Sequence, residues 1–141
     1  MTIEVLRQED LPAYKELIDS CFGESNDLEA YKKYAQNGAY QILVAKSGSE
    51  GTIVGSVTRY SVELFTFGFQ PCLMLFNVAV SPSCRKQGIG RQMMEQVIGD
   101  AKEEGYRSIS LTCLDNAVPA HKLYESVGFV RMGSVKYQLD L

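Results

Sequence analysis

A basic, glycine-containing segment in the second half of the chain has the residue types of an anion-binding loop. Residues 85–90 read Arg-Lys-Gln-Gly-Ile-Gly, and a further arginine follows at position 91. Gly88 and Gly90 lack a Cβ, so the backbone there can approach a ligand closely and can adopt a positive φ. The cationic side chains add positive charge at the same place. This combination predicts a binding site for phosphate groups.

The segments on either side of the loop fit that role. Leu73–Val80 is an almost unbroken apolar run of strand length, and Pro82 ends it because proline has no N–H to donate to a ladder. Apolar residues then recur at helical spacing from Ile89 to Ala101. The loop therefore leads into a helix N-terminus, whose free N–H groups and dipole favour phosphate. The alternative is that the glycines only shape a tight connection and the basic side chains only face solvent.

The spacing Arg-x-x-Gly-x-Gly, placed after a strand that ends in Val-Ala-Val-Ser-Pro, resembles the acetyl-coenzyme A signature of the GNAT N-acetyltransferase superfamily. The resemblance implies a bulged strand whose backbone at Val78 and Val80 pairs with the pantetheine arm, with an N–H near Val78 polarising the thioester carbonyl. It also implies that the loop and first helical turn bind the rest of coenzyme A. These residues are Arg85, Lys86, Gln87, Gly88, Ile89, Gly90 and Arg91.

A second motif, Asn116-x-x-x-Ala-x-x-Leu-Tyr124-Glu-x-x-Gly-Phe, resembles the late helix of the same family. The resemblance implies that Asn116 contacts coenzyme A and that Tyr124 lies beside its sulfur. A phenol in that position can donate a proton or a hydrogen bond to a departing thiolate. Tyr124 is therefore the predicted catalytic residue. The alternative for Tyr124 is an aromatic core residue at helical spacing.

The whole chain predicts an α+β fold. Strand patterns occupy residues 3–7, 40–45, 52–62, 73–80, 106–114 and 129–141, and helical patterns occupy residues 11–21, 27–37, 89–104 and about 117–127. The order of elements matches that of the resembled family. We expect a single GNAT-type domain over residues 1–141, with a mixed, mostly antiparallel sheet flanked by helices. A β–α–β unit forms its acetyl-coenzyme A-binding core.

Composition bounds the function further. The 141 residues are 45% hydrophobic and 22% charged, as in a soluble domain, and the net charge of −3 argues against a general nucleic-acid binder. No apolar run approaches the length of a membrane span, and the N-terminus has no signal-peptide pattern. Four cysteines without C-x-x-C spacing and a single histidine predict reduced cytoplasmic thiols and no metal site.

The expected activity is transfer of an acetyl group from acetyl-coenzyme A to a primary amine of a small molecule or a protein, by direct attack in a ternary complex. One alternative is a non-catalytic acyl-coenzyme A sensor with the same fold. Another is a nucleotide-binding module, although the loop lacks the Walker Gly-Lys-Ser/Thr pattern. A homodimer also remains open. One candidate surface for it is Phe65, Phe67 and Phe69, whose alternation predicts three rings on one face of an extended segment.

The amine side of the reaction is less well defined by the sequence. Acidic residues before and within the second helix either attract a cationic amine or form a solvated face: Glu24, Asp27 and Glu29. Candidates for a general base are Glu24, Glu63, Tyr60 and His121, and none is assigned. Cys84 and Cys113 suggest a covalent route, but no Cys/His pairing is legible in the sequence, and direct transfer is the simpler mechanism.

Overall fold

The computed structural model describes every residue from Met1 to Leu141. Its strands and helices follow in the order β1 (Thr2–Val5), α1 (Leu11–Phe22), α2 (Leu28–Gln36), β2 (Tyr40–Ser47), β3 (Thr52–Glu63), β4 (Pro71–Val80), α3 (Ile89–Glu103), β5 (Ile109–Ser110) and α4 (Val118–Ser126). Three short 3₁₀ turns lie at Gln8–Asp10, Phe65–Phe67 and Pro82–Cys84. No helix combines the length and apolar character needed to cross a membrane.

The five strands form one sheet in the order β1-β2-β3-β4-β5. The first four strands pair antiparallel with their neighbours, and β5 pairs parallel with β4. The parallel pair is connected through α3, because parallel strands need a crossover connection. The predicted α+β class, with a mixed and mostly antiparallel sheet and one β–α–β unit, is therefore confirmed.

Helices cover both faces of the sheet. In β2, Ile42 and Val44 pack with α1 and α2, whereas Leu43 and Ala45 pack with α3 on the opposite face. This alternation follows from the two-residue period of a strand, so a strand covered on both faces is apolar at every position. α4 packs beside α3, and Leu123 contacts the α3 side of the core. Both helices that follow the loop therefore lie on one side of the sheet.

A bulge interrupts β4 near its end. Thr58 of β3 pairs with Phe76, but Ser56 pairs with Ala79, so one residue of β3 faces two residues of β4, Asn77 and Val78. Asn77 has a φ of 51°, a left-handed conformation that asparagine tolerates better than most residues. The bulge implied by the family resemblance is therefore present.

β4 and β5 separate soon after they meet. Their strand ladder pairs Leu73 with Ile109 and Met74 with Ser110, and the Arg107 N–H also donates to the Pro71 carbonyl at 2.9 Å, whereas a strand was predicted over residues 106–114. The prediction was too long because no neighbouring strand continues the ladder beyond Ser110 on either side. The sheet thus opens between the end of β4 and the segment after β5.

Two aromatic or apolar segments also differ from their predicted conformation. Residues 129–141 alternate apolar and polar side chains as a strand would, but no neighbouring edge pairs with them and they form no strand. Phe65–Phe67 forms a 3₁₀ turn that Gly68 ends at a φ of 62°, and Phe69 is also left-handed. The three rings consequently do not share one face, and the Phe67 ring instead lies under the Arg107 guanidinium at 4.7 Å.

Candidate functional site

The loop before α3 presents a continuous run of free backbone donors. The Cys84 N–H donates to the Ser81 carbonyl at 2.8 Å, and the Gln92 N–H donates to the Gly88 carbonyl at 3.0 Å. No backbone N–H between them, from Arg85 to Arg91, donates a hydrogen bond within the protein. Successive unpartnered N–H groups at the positive end of a helix have the character of an anion-binding site.

Left-handed residues shape this loop. Arg85 is extended, and Lys86 and Gly88 have φ values of 63° and 80°, so the chain turns twice before α3 begins at Ile89. Turns of successive free N–H groups are a common setting for anion binding. The Ile89 side chain is buried beside Met93, which anchors the first helical turn to the core.

The loop side chains differ in how free their charges are. Lys86 and Gln87 are exposed and make no hydrogen bond or ion pair within the protein. The Arg85 Nε donates to the Val80 carbonyl at 3.2 Å, which holds that arginine over the end of β4. The Arg91 Nε lies 2.9 Å from a Glu95 carboxylate oxygen, so its charge is partly neutralised. Lys86 is thus the only cation of the loop whose side chain has no hydrogen-bond or ion-pair partner within the protein.

The two glycines of the loop serve different purposes. Gly88 has a left-handed φ, and a Cβ there would meet no atom within 4 Å. A Cβ on Gly90, by contrast, would lie 3.1 Å from Cδ2 of Leu123 and 3.7 Å from Cγ2 of Val80. Gly88 is therefore needed for the backbone turn, whereas Gly90 allows α4 to pack closely on the start of α3. From the sequence, both glycines were expected to allow a ligand to approach the backbone and to adopt a positive φ.

The bulge and the opening between β4 and β5 leave part of β4 without a partner on one side. From Leu75 onward, the edge that faces β5 has no paired strand. Val78 lies at the bulge and is half-buried, packing against the α3 side of the core. The Val80 carbonyl, however, already accepts hydrogen bonds from Arg85 Nε at 3.2 Å and from the Cys21 thiol at 3.4 Å. Of the two implied contact residues, Val78 thus lies where β4 lacks a strand partner, whereas the carbonyl of Val80 is occupied.

Tyr124 lies on α4, half-buried, with its ring centroid 6.0 Å from that of Phe129. Its hydroxyl makes no hydrogen bond within the protein. Burial, followed by the nearby Cys113, raises the pKa of Tyr124 above its usual 10.0. The phenol therefore stays protonated at neutral pH and can act as a donor. Asn116 lies in the exposed turn before α4, where its carbonyl accepts the Val118 N–H at 2.9 Å.

Cys113 and His121 lie together, which the sequence did not indicate. The Cys113 Sγ is 3.8 Å from Nδ1 and 3.9 Å from Nε2 of His121. Both residues line a cavity of about 930 Å³ that also contains Tyr124. A different cavity of about 510 Å³, between β1 and α3, contains none of the predicted site residues.

A row of aromatic rings lies on the opposite face of the sheet and ends at the bulge. The ring centroids of Tyr34 and Tyr40 are 4.8 Å apart, those of Tyr40 and Tyr60 are 5.3 Å apart, and those of Tyr60 and Phe76 are 6.5 Å apart. Burial raises the pKa of Tyr34 above its usual 10.0. Tyr60, a candidate base in the sequence, is thus part of an aromatic stack.

Most of the other polar candidates have structural partners or lie at exposed positions. The Asp27 side chain accepts the Glu29 N–H at the start of α2, and the Glu29 carboxylate pairs with Lys32 at 2.9 Å. Glu24 and Glu63 are exposed at the ends of α1 and β3. These contacts favour the solvated-face interpretation for Asp27 and Glu29, and they assign no general base.

Comparisons with known proteins agree with this geometry. The model of the acetyltransferase (GNAT) family matches residues 11–129. N-acetyltransferase 8B of Rattus norvegicus is 28% identical over 120 residues, which make up 85% of this chain and 52% of that protein. The [ribosomal protein bS18]-alanine N-acetyltransferase of Escherichia coli K12 is 38% identical over 55 residues, or 39% of this chain and 37% of that protein. The chain thus spans about half or less of the length of these curated relatives.

A solved structure shows the same fold at low sequence identity. The ribosomal-protein-alanine N-acetyltransferase of Brucella melitensis biovar Abortus 2308 superposes with a TM-score of 0.86, covers 100% of both chains and is 19% identical. At that identity the likeness concerns the fold alone. The family model, by contrast, matches most of the sequence, including the loop, the bulged strand and α4. The chain belongs to the acetyltransferase (GNAT) family.

Proposed function

We propose that residues 1–141 act as one N-acetyltransferase domain, which binds acetyl-coenzyme A as co-substrate and transfers its acetyl group to a primary amine. One observation carries the proposal: the unbroken run of unpartnered backbone N–H groups from Arg85 to Arg91 at the start of α3. Pyrophosphate oxygens would satisfy these donors and interact favourably with the helix dipole and Lys86. Gly88 keeps the approach to the loop free of side-chain atoms.

The opening between β4 and β5 supplies a place for the pantetheine arm. Its amides would pair with the edge of β4 near Val78, where the bulge leaves backbone groups without strand partners. An N–H at this bulge would then polarise the thioester carbonyl as negative charge develops on its oxygen. The remaining proposed contacts are at Val80, the last residue of β4, and at Asn116, in the turn before α4. Because the Val80 carbonyl is already occupied, we assign Val80 a packing contact.

Tyr124 is the proposed general acid. Its hydroxyl is half-buried, has no partner in the protein and stays protonated at neutral pH. When the amine attacks the thioester carbon, the carbon–sulfur bond breaks and the departing thiolate needs a proton or a hydrogen bond. A neutral phenol beside the sulfur can supply either. This free hydroxyl favours an enzyme over the alternative, a non-catalytic acyl-coenzyme A sensor with the same fold.

The proposal includes two classes of acceptor amine. The names of two similar proteins describe acetylation of an alanine of a ribosomal protein, so a protein amine is one proposed acceptor and a small-molecule amine is the other. For direct attack in a ternary complex, we propose that the amine reaches the bulge from the face with the aromatic row, because that row ends at Phe76 beside the bulge. All four cysteines are unpaired, which supports a reducing compartment such as the cytoplasm.

A thermal-shift titration tests the co-substrate assignment. A ligand that binds only the folded protein, at about 100 times its Kd, adds about 2.7 kcal/mol to the free energy of unfolding. We expect such stabilisation with acetyl-coenzyme A, and much less with ATP or NAD as controls. Thiol release on addition of primary amines then separates an enzyme from a sensor. A folded protein that acetyl-coenzyme A does not stabilise would refute the proposal.

A further inference from the structure

Cys113 and His121 are a thiol and an imidazole that the fold brings close together, the two groups that a cysteine nucleophile and its base require. They are eight positions apart, on either side of the turn into α4, and the fold brings the thiol to 3.8 Å from Nδ1. Distances between nucleophile and base are often longer in ligand-free proteins than in the reacting complex. His121 is the single histidine of the chain, so none of the other three cysteines has such a neighbour.

The surroundings of His121 determine which ring nitrogen is the base. Its Nε2 lies 3.0 Å from the carbonyl oxygens of both Leu114 and Asp115. Carbonyl oxygens only accept hydrogen bonds, so the Nε2 must carry the proton and donate it. The Nδ1 is then left with its lone pair, 3.8 Å from the Cys113 thiol. The two carbonyls thus fix the tautomer of the ring. The Sγ lies almost equally far from Nδ1 and Nε2, so the Cys113 side chain must rotate to place its thiol on the Nδ1 lone pair before the proton is transferred.

The pair also lies beside the opening of the sheet. β4 and β5 are parallel, and Met74 with Ser110 is their last paired position. Cys113 follows Ser110 by three residues, in the segment that diverges from β4 and borders the opening. Cys113, His121 and Tyr124 line the same cavity of about 930 Å³, and the effect of Cys113 on the pKa of Tyr124 shows that the two side chains are close. The phenol proposed to assist the departing sulfur is therefore a neighbour of the thiol.

We propose that Cys113 is an acyl-acceptor site of this protein, activated by His121, which takes the acetyl group of bound acyl-coenzyme A when no amine is present. The Nδ1 of His121 removes the thiol proton, and the Cys113 Sγ forms a bond to the acetyl carbonyl carbon. The bond between that carbon and the coenzyme A sulfur breaks. The released sulfur takes the proton from His121, or takes the Tyr124 hydroxyl proton, which His121 then restores to Tyr124. One thioester is exchanged for another, so the step needs neither an oxidant nor a further reactant.

This inference rests on the proposed function, because the acyl donor is the proposed co-substrate. It goes beyond it by adding a covalent acyl-enzyme state to direct transfer. An amine that enters later could attack the Cys113 thioester, or the acetyl group could return to coenzyme A.

The first experiment looks for the acyl-enzyme directly. The protein is incubated with acetyl-coenzyme A without an amine, and the intact mass and peptide map are recorded. We expect one added acetyl group on Cys113, removed by neutral hydroxylamine as a thioester would be. The adduct should be lost in Cys113→Ser and retained in Cys84→Ser, the matched control. Absence of the adduct, in protein that releases thiol when an amine is supplied, would overturn the inference and leave the proposed function standing.

The second experiment tests the pair without coenzyme A. Iodoacetamide alkylation is followed at each cysteine by peptide mapping, with Cys84 as the internal comparison. Cys113 should react faster than Cys84, and its rate should fall by about a hundredfold in His121→Gln, the low end of what a positioned base contributes. The glutamine retains an N–H donor for the two carbonyls but has no basic nitrogen. A Cys113 rate equal to that of Cys84, or unchanged in His121→Gln, would refute the activation whatever the donor proves to be.

Discussion

A negative charge at position 88 should stabilise the folded protein and weaken the binding of coenzyme A. Gly88 is the residue that precedes α3, with a φ of 80° and open space around the position of a Cβ. Asparagine and aspartate both tolerate this left-handed conformation better than other non-glycine residues and have nearly the same size. The variants Gly88→Asn and Gly88→Asp therefore differ mainly by one negative charge, and each serves as the control for the other.

The expected magnitudes follow from the position of that charge. Without ligand, an aspartate at a helix N-terminus should make Gly88→Asp about 0.3–1 kcal/mol more stable than Gly88→Asn. With ligand, a carboxylate about 4 Å from a phosphate charge costs about 1 kcal/mol in water and about 4 kcal/mol at an effective dielectric constant near 20. Because each 1.4 kcal/mol is tenfold, Gly88→Asp should bind coenzyme A roughly fivefold to several hundredfold more weakly than Gly88→Asn.

Calorimetric titration with coenzyme A measures the affinities, and urea unfolding without ligand measures the stabilities. The difference in affinity should shrink as salt is added, because the interaction is electrostatic and partly exposed to solvent. Equal affinity of the two folded variants would show that no phosphate binds at the N-terminus of α3. The proposed co-substrate site would then have to lie elsewhere.

Three further predictions concern the acid, a buried cation and an ion pair. Tyr124→Phe should lower kcat by about a hundredfold and leave the Kd for acetyl-coenzyme A unchanged, as measured by thiol release and calorimetry; unchanged turnover would return Tyr124 to a packing role. Glu104→Gln removes the carboxylate 2.7 Å from buried Arg59 and should lower the free energy of unfolding in urea by about 1–3 kcal/mol. Burial raises the pKa of Asp10, but hydrogen bonds from Lys46 and a backbone N–H outweigh it and lower that pKa below 3.8. A carboxyl whose pKa is lowered by folding stabilises the folded protein above pH 3.8 and loses that contribution at lower pH. The difference in free energy of unfolding between wild type and Lys46→Met should therefore shrink as the pH falls through and below 3.8. A difference that persists in acid would contradict this.

Local features of the site could be predicted because their causes lie within a few residues. The loop from Arg85 to Gly90 contains glycines and positive charge, and a helix follows it directly. The structure shows the free N–H groups expected there. The β–α–β unit and the antiparallel hairpins likewise followed from apolar periodicity. The binding roles of these residues, and those of Asn116 and Tyr124, stay predictions.

Predictions failed where conformation depends on a partner strand. Residues 106–114 have the alternation of a strand, but only Ile109–Ser110 pairs with β4, because the neighbouring strand bulges and diverges. The apolar alternation of residues 129–141 meets no open edge that pairs with it. Periodicity reports which side chains share a face, whereas a ladder also needs a second backbone at hydrogen-bonding distance.

The sequence by itself determined the fold class, the resemblance to the family and the glycine-containing loop with its free N–H groups, because each depends on short-range spacing that the chain carries wherever it folds. Tertiary structure decided the rest. It placed Leu123 against Gly90, committed the Val80 carbonyl to Arg85, and brought Cys113 to His121 across the turn into α4. These contacts join residues whose separation in space is set by packing of α4 on α3 and by the divergence of β4 and β5, and no local pattern encodes such distances.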